Sequence, residues 1–486
     1  MLKNDKGGIN HIRILSNDGM RRVHEQALNL LETTGIEVHS QTALEMLADV
    51  GCRVDFKAKV VAIPGSLIEQ CLEKVPRKIT FAGRNPERDR VLLPGGPMYT
   101  RYGGGMTHVQ DARTGQIREA RLDDVSDFAR LIDALDGINF IAPIYPADVA
   151  PEILELEVLV KLFSNTDKHI SVRALDRRKF PYLLQMAEIV AGSRQQLTER
   201  PLISILEASI SPLQLPEVFI DALFLGGQYG IPVEICATPI VGATGPVTLA
   251  GSLLLATAEL LATVAISQLA NPGAPLIWAP RFVGMDMSTG MTGMFVETAL
   301  VNAAAAQQAT EFYNIVSDLH GPATNAILPD GLSVFEEFLA VFVTGMAGRP
   351  TILCGGGVLG LGLIASHIET VITNEIFSAG HRIIEGFEVN DETLGLDAIK
   401  RVGIGGNFLM DEHTVRHVRD EDHGSLFVKP KTQESWIADG SKGMNDIAKE
   451  KALEILATHR PASLDEETTA ELQQVIRRAE ADFGID

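Results

Sequence analysis

The chain has 486 residues and a mass of 52.6 kDa, so it can bury a large core, either as one big α/β barrel with terminal additions or as two or three domains. Its 42 basic and 63 acidic residues leave a net charge of -21, which disfavours a nucleic-acid reader, because such proteins carry a basic footprint. Cys52, Cys71, Cys236 and Cys354 form neither a CxxC pair nor a dense disulfide pattern and read as reduced, mostly buried thiols of a cytoplasmic protein. The opening MLKNDKGGINHIRIL lacks the apolar core of a secretory signal. The most apolar helical patterns are interrupted by Glu259, Gln268, Gln307 or Gln308, so no clean membrane span is expected.

Asn17 to Thr34 and Gln41 to Asp49 read as amphipathic helices, with Val23, Leu28 and Leu31 on one stripe of the first. Pro64 suits the first turn of a helix running to Lys74, and Lys59 to Ile63 and Lys78 to Ala82 read as short strands. Met98 to Met106 resembles a strand entering a Gly-rich turn, and Thr107 to Ala120 a hairpin around Arg113, Thr114 and Gly115. Regular alternation follows. A helix capped by Asp123 or Asp124 ends at Ala134, Ile138 to Ile144 is a strand, and Pro151 to Phe163 is a helix. His169 to Val172 is a strand, Arg178 to Val190 a helix, Pro201 to Leu206 a strand ending at Glu207, and Pro216 to Gln228 a helix.

The stretch from Ile231 to Gly321 organises the chain. Val233 to Pro239, Pro275 to Pro280 and Tyr313 to Asp318 are branched or aromatic runs bounded by Pro or Gly, separated by long helical patterns over Leu249 to Leu269 and Met294 to Glu311. Strands that are apolar nearly throughout, alternating with long helices, indicate a parallel sheet covered on both faces. A helix over Gly331 to Gly345, a strand over Thr351 to Cys354 and a helix over Gly360 to Ser378 complete about eight alternations. A TIM-like (β/α)8 barrel fits that count better than a doubly wound sheet. The expected organisation is an N-terminal cap over 1–95, the barrel over 96–402, and a C-terminal segment with a helical extension over 403–486. Met444 to Leu456 and Asp465 to Ala481 read as charged helices of that extension.

Polar residues at strand ends are the candidates for chemistry. Glu207 and Glu234 lie in otherwise apolar strands, where a carboxylate needs a polar neighbour or a ligand; a structural network is the plainer alternative. Asp318 and His320 close the next strand in SDLHGP. Arg281 follows the Trp278 strand, with Asp286, which reads as a helix cap, and Glu297 beyond it. His413, His417 and His423 among acidic neighbours suggest metal, but HExxH is absent and no compact third ligand is evident, so solvated contacts or partner docking are the commoner readings. No GxSxG elbow, Cys–His pair, P-loop or dinucleotide fingerprint occurs. Tyr102, Tyr145, Trp278, Phe282 and Tyr313 lie at or beside strands; each alone is core packing, but several converging would cage a quaternary ammonium by cation–π attraction.

The segment GATGPVTLAGSLLLATAELLATVAISQLANPGAPLIW resembles the trimethylamine methyltransferase family, and LLETTGIEVHS, TRYGGG and GGNFLMDEHTVRHVRDE extend the likeness over nearly the whole chain. The resemblance implies a barrel enzyme that moves a methyl group from a methylated amine to Co(I) of a separate corrinoid protein, with no tightly bound cofactor of its own. In the family's trimethylamine enzymes pyrrolysine stands in a loop that aligns with 324–332 here, and Ile327 falls at its place. Asn407 stands where the family pattern has histidine. The likeness therefore points to the branch without pyrrolysine, acting on quaternary amines such as glycine betaine, proline betaine or carnitine. On that reading Tyr102, Tyr145, Trp278 and Phe282 are cage candidates, and Glu207, Glu234 and Asp318 balance charge. Arg101, Arg173, Arg281, His169 or His320 would hold a carboxylate. A different chemistry on the same barrel and a non-catalytic quaternary-amine binder are the alternatives. A homo-oligomer is also expected to be compatible with the terminal caps.

Overall fold

The computed structural model describes residues 12–422 and 424–485. The opening MLKNDKGGINH and His423 lie outside the described residues. Eight strands form one parallel sheet: β1 (Tyr99–Tyr102), β2 (Phe140–Ile141), β3 (His169–Val172), β4 (Ile203–Ala208), β5 (Val233–Ala237), β6 (Leu276–Pro280), β7 (Asp318–His320) and β8 (Ile352–Gly356). Each except β6 pairs with its successor, and β8 pairs back onto β1 from Ile352↔Tyr99 to Gly356↔Tyr102. The β6–β7 seam is held by a bridge between Trp278 and Ser317, where Trp278 N–H donates to Val316 O at 2.9 Å. The result is a (β/α)8 barrel.

The ring of helices comprises α1 (Leu122–Ala134), α2 (Leu154–Asn165), α3 (Phe180–Ala191), α4 (Glu217–Tyr229), α5 (Leu249–Ala270), α6 (Val296–Gln307), α7 (Gly331–Gly348) and α8 (His367–Glu385). The strands read as continuous apolar runs because both faces are covered; all residues of β3, β5, β6 and β8 are buried. Helix α5 is apolar around its whole circumference, and the N-terminal helices Asn17–Thr33 and Gly65–Lys74 cover its outer side. Each fully buried Leu or Ile there contributes about 1.5–3 kcal/mol. Helices α5 and α7 are long and apolar enough to cross a membrane by length and composition alone, contrary to the expectation from their Glu and Gln residues. The most apolar window of α5 is 78% buried within the protein, as a core helix requires.

A hairpin, Ile79–Phe81 paired with Arg90–Leu92, closes the N-terminal end of the barrel. Its Phe81 packs with Phe140, Ile277, Val316 and Ile352 in a buried apolar cluster separate from the main core. The C-terminal helix Met444–Thr458 packs on α8 and α1, and Glu466–Phe483 packs on α3.

Two expected elements differ. Residues 360–362 do not begin a helix, because Gly360, Leu361 and Gly362 have φ of +58°, +55° and +86°, outside the right-handed helical region. They instead turn a hairpin between Val358–Leu359 and Ile364–Ser366, and α8 starts at His367. Tyr313 does not open a strand either. It follows a π-helical turn over Gln308–Phe312 that ends α6, and regular pairing starts only at Asp318.

Candidate functional site

Strand alternation decides which side chains enter the barrel. Above the apolar floor the strands contribute Arg101, Ser171, Ser204, Glu234 and Asp318, a polar layer with almost no contact with solvent. Arg101 Nη2 reaches Asp318 Oδ2 at 2.5 Å and lies 3.2 Å from Glu234 Oε2. Ser171 and Ser204 each donate to Glu234 Oε1 at 2.6 Å. Two residues beyond Ser171, Glu234 and Asp318 come Arg173, Cys236 and His320, joined by Cys354 on β8 and Arg281 just past β6. Arg281 Nη2 donates to Asp318 Oδ2 at 3.0 Å and its Nε contacts Cys236 Sγ at 3.1 Å, while Nη1 lies against Cys354 Sγ.

These upper residues line a cavity of ≈ 320 Å³ at the C-terminal end of the barrel, where the βα loops of such folds build sites. Arg101, Arg173 and Arg281 all line it, and no Asp or Glu does. Tyr145 and the backbone of Gly103–Gly105 form one wall, and the hairpin residues Val358, Leu361 and Gly362 form another. Gly357 is required beneath that hairpin: its φ is +79°, and a Cβ there would stand 2.4 Å from the Tyr102 ring.

The protonation pattern follows from burial and charge. Burial works to raise the Asp318 carboxyl, but the Arg101 and Arg281 guanidiniums override it and hold it at about 2. Burial raises Glu234, against the pull of Arg101 and reinforced by the Asp318 charge. His320 is pushed down to about 4 by burial and by Arg281, so it is neutral at physiological pH. Burial lifts the Cys354 thiol to about 12, and Cys236 also rises. Glu207 is raised to about 7 by burial, opposed by Arg173.

The structure gathers the side chains of Arg101, Arg173, Arg281, His320 and Tyr145 around one cavity, with Glu234 and Asp318 directly beneath. Glu207 alternates to the outer side of β4, where it accepts from Ala174 N–H at 3.1 Å and lies 3.6 Å from Arg173. Four of the substrate-binding candidates keep their side chains out of the cavity: Trp278, Phe282, His169 and Tyr102, whose ring packs 6.0 Å from that of Phe128 on α1 because its neighbour Arg101 takes the inward position of β1. Trp278 faces the helix layer and packs on Tyr313, with ring centroids 4.9 Å apart, because its neighbour Ile277 takes the inward position of β6. Phe282 is fully buried, its backbone N–H and C=O both bonded to the Asn302 amide. His169 sits one layer too deep; it stacks on Phe81 at 3.7 Å, and its Nδ1 faces the Ala82 and Pro201 carbonyls. Of the four aromatics named for a cage, Tyr145 is the one whose side chain stays beside the cavity.

Cys236 and Cys354 are lining residues that the sequence marks only as buried thiols. Their signal was parity, since Cys236 stands two residues beyond Glu234 on one strand. Elsewhere, Asp286 is a turn acceptor for Ser288 and Thr289 rather than a helix cap. His413 and His417 lie side by side on an exposed helix, their rings tilted by 46° with centroids 4.5 Å apart. Among the described residues no group of three or more His, Cys, Asp or Glu is placed to hold a metal ion.

The sequence profile described as trimethylamine methyltransferase (MTTB) matches residues 2–484. The chain belongs to that family. Trimethylamine methyltransferase MttB of Desulfitobacterium hafniense is 34% identical over 473 residues, covering 97% of this chain and 94% of its own. The glycine betaine methyltransferase of another strain of that species is 26% identical, covering 97% of this chain and 98% of its own. Among solved structures, the monomethylamine methyltransferase of Methanosarcina barkeri superposes with a TM-score of 0.54 at 11% identity, over 95% of this chain and 89% of its own. That likeness concerns the fold.

Proposed function

We propose that this member of the family demethylates a quaternary amine bearing a carboxylate, glycine betaine foremost, and passes the methyl group to the corrinoid of a partner protein. The observation that carries the reading is the cavity's charge: three arginines line it and no carboxylate does. A plain alkylammonium ion would meet only repulsion there, whereas a betaine brings its own anion. The guanidinium of Arg173 has the most donors to spare, since among the described residues its only ion pair is the 3.6 Å contact with Glu207, and its side chain is 43% exposed. Arg101 and Arg281 are committed to Asp318, Glu234 and the two thiols and supply field rather than free donors.

Anchoring the carboxylate on the arginine side leaves the trimethylammonium toward Tyr145 and the open end of the barrel. A quaternary nitrogen leaves as a neutral tertiary amine, so neither an acid catalyst nor a covalent amine adduct is required. The neutral His320 and the high-pKa thiols suit this requirement, because none of them competes as an acid or a nucleophile. When the carrier is docked, the corrinoid supplies the Co(I) nucleophile. The chain's own part is to orient the substrate, exclude water and present one methyl at the mouth. The loops that follow the strands fit the docking of a protein there, for they expose Met287, Met291, Phe295, Ile327, Leu328 and Leu363. Ile327 lies on this rim beside Gly360, 54% exposed and chemically inert, which favours the branch of the family without pyrrolysine.

The test mixes the protein with a Co(I) corrinoid and a panel of methylated amines and follows the loss of Co(I) absorbance. Turnover of glycine betaine without trimethylamine supports the reading. Turnover of only proline betaine or carnitine moves the substrate within the class. Turnover of trimethylamine alone refutes the reading, and tight betaine binding without turnover on a competent carrier makes the protein a binder.

A further inference from the structure

Glu234 and Asp318 share a single guanidinium nitrogen, Nη2 of Arg101, at 3.2 and 2.5 Å. Both carboxyls are wholly buried, and each has one oxygen, Glu234 Oε2 and Asp318 Oδ1, that accepts no hydrogen bond from an N–H or O–H. The two carboxyls lie within hydrogen-bonding reach of one another. Two buried carboxyls within reach of each other, each with an oxygen that no N–H or O–H serves, are costly unless one of them carries a proton. Glu234 is the member equipped to hold it: its other oxygen is occupied by the Ser171 and Ser204 hydroxyls, whereas Asp318 touches both Arg101 and Arg281.

We infer that Glu234 is a neutral acid donating its proton to Asp318, so that the cavity floor holds two guanidinium charges against one carboxylate and thereby selects substrates with an anionic group. The inference deepens the betaine reading and rests on it. Arg101 and Arg281 contribute two positive charges, Asp318 one negative, and Cys236, Cys354 and His320 none. One positive charge is left over. With Glu234 ionised the floor would be neutral, and only Arg173, paired with Glu207, would still attract a carboxylate. Glu234 is a positioning residue here, for it acts through Arg101 and Asp318 and does not line the cavity. Burial and the adjacent Asp318 charge both favour its protonated form.

The experiment uses the whole protein and acetate, the simplest carboxylate probe. Infrared difference spectra, wild type minus Glu234→Gln and wild type with minus without acetate, should show the C=O stretch of a protonated carboxylic acid that shifts in D2O. Acetate affinity of the wild type should fall by roughly tenfold or more as pH rises through the ionisation of Glu234, the effect of removing one nearby charge. Glu234→Gln should lack that share of the fall and keep only what Glu207, raised to about 7 beside Arg173, contributes. An absent acid band, or a fall in Glu234→Gln as large as in the wild type, overturns the assignment. If that variant does not fold, the acetate-sensitive and D2O-sensitive band of the wild type decides alone. Failure of acetate to bind at any pH, with the acid band present in the wild-type minus Glu234→Gln spectrum, refutes the anionic-substrate reading and the selecting role, and leaves the proton where it is placed.

Discussion

Replacing Arg173 with alanine separates carboxylate anchoring from every other role of the cavity. The side chain makes one ion pair, 3.6 Å from Glu207, and is 43% exposed, so its loss costs no more than about 1 kcal/mol of stability. Glu207 does not become a buried unpaired charge, because burial already raises it to about 7 and the loss of Arg173 lets it take up a proton. A hydrogen bond to a charged group contributes about 1.5–3 kcal/mol, so kcat/KM for glycine betaine should fall roughly 10–150-fold. Tetramethylammonium, which has no carboxylate, should inhibit the variant as well as or better than the wild type, since one repulsive charge is gone. The assay is the initial rate of Co(I) corrinoid consumption over a betaine series, with tetramethylammonium as competitor and circular dichroism as the fold control. Equal weakening of betaine and tetramethylammonium would refute the anchoring argument, because that pattern reports a collapsed cavity rather than a lost anion contact.

Four further outcomes are expected. Trp278→Phe should lower the melting temperature, as removal of buried indole volume costs about 1–3 kcal/mol, yet leave KM for the amine within twofold or so; a large rise in KM would return Trp278 to the substrate. Glu259→Ala should cost about 2–4 kcal/mol in urea denaturation, since Glu259 accepts from Ser209 Oγ, Ser211 Oγ and Leu213 N–H at 2.5, 2.9 and 2.9 Å and fixes the loop after β4; loss of less than about 1 kcal/mol would contradict this. Glu369 on α8 is buried against Glu337 on α7 and raised from 4.5 to about 7, so the folded state holds a proton that the unfolded chain has released. Stability should therefore fall as pH rises through that window, and Glu369→Gln should flatten the fall in a melting-temperature profile; an unchanged slope would show the carboxyl ionised. Arg281→Gln should reduce kcat as well as raise KM, whereas Arg281→Lys, which keeps the charge, should retain more of kcat; identical kcat in both would remove Arg281 from the chemistry.

The barrel was legible because its strands are apolar on both faces and its helices are long. Val233–Ala237, Leu276–Pro280 and Leu249–Ala270 fall within a residue or two of the patterns that announced them. The hairpin after Gly357 was not legible, because Val358 to Ser366 is apolar enough to pass for the start of α8, and only the backbone angles at 360–362 exclude a helix. In the site the sequence indicated the right strand ends but not the direction of each side chain. Trp278 and Ile277 are both apolar, so nothing local says which one enters the barrel, and a one-residue shift in parity moves the indole from cavity to helix layer. Depth was equally hidden. His169 and Arg173 lie on the same side of β3, but four residues of rise separate a stacking partner of Phe81 from a cavity lining residue.

A surplus of positive charge around a cationic substrate looks unfavourable until the direction of charge flow is considered. When the methyl group leaves, the nitrogen goes from cation to neutral amine, so a guanidinium near it repels the ground state more than the transition state. At roughly 6 Å with an effective dielectric of about 20, one unit charge raises a cation by about 3 kcal/mol. If about half of the nitrogen's charge has departed at the transition state, about 1.4 kcal/mol of that repulsion is relieved, a tenfold gain in rate. A cage of carboxylates would act with the opposite sign, holding the ammonium tightly and slowing its demethylation. The betaine carboxylate resolves the binding problem, since its attraction to Arg173 and the floor offsets the repulsion suffered by the ammonium. On the proposed reading one set of arginines therefore serves both ends of the substrate: it binds the anion and destabilises the cation. The same arithmetic accounts for the disadvantage of trimethylamine in this cavity, for it brings no anion to offset that repulsion in its protonated form and, once neutral, has no charge for the arginines to act on.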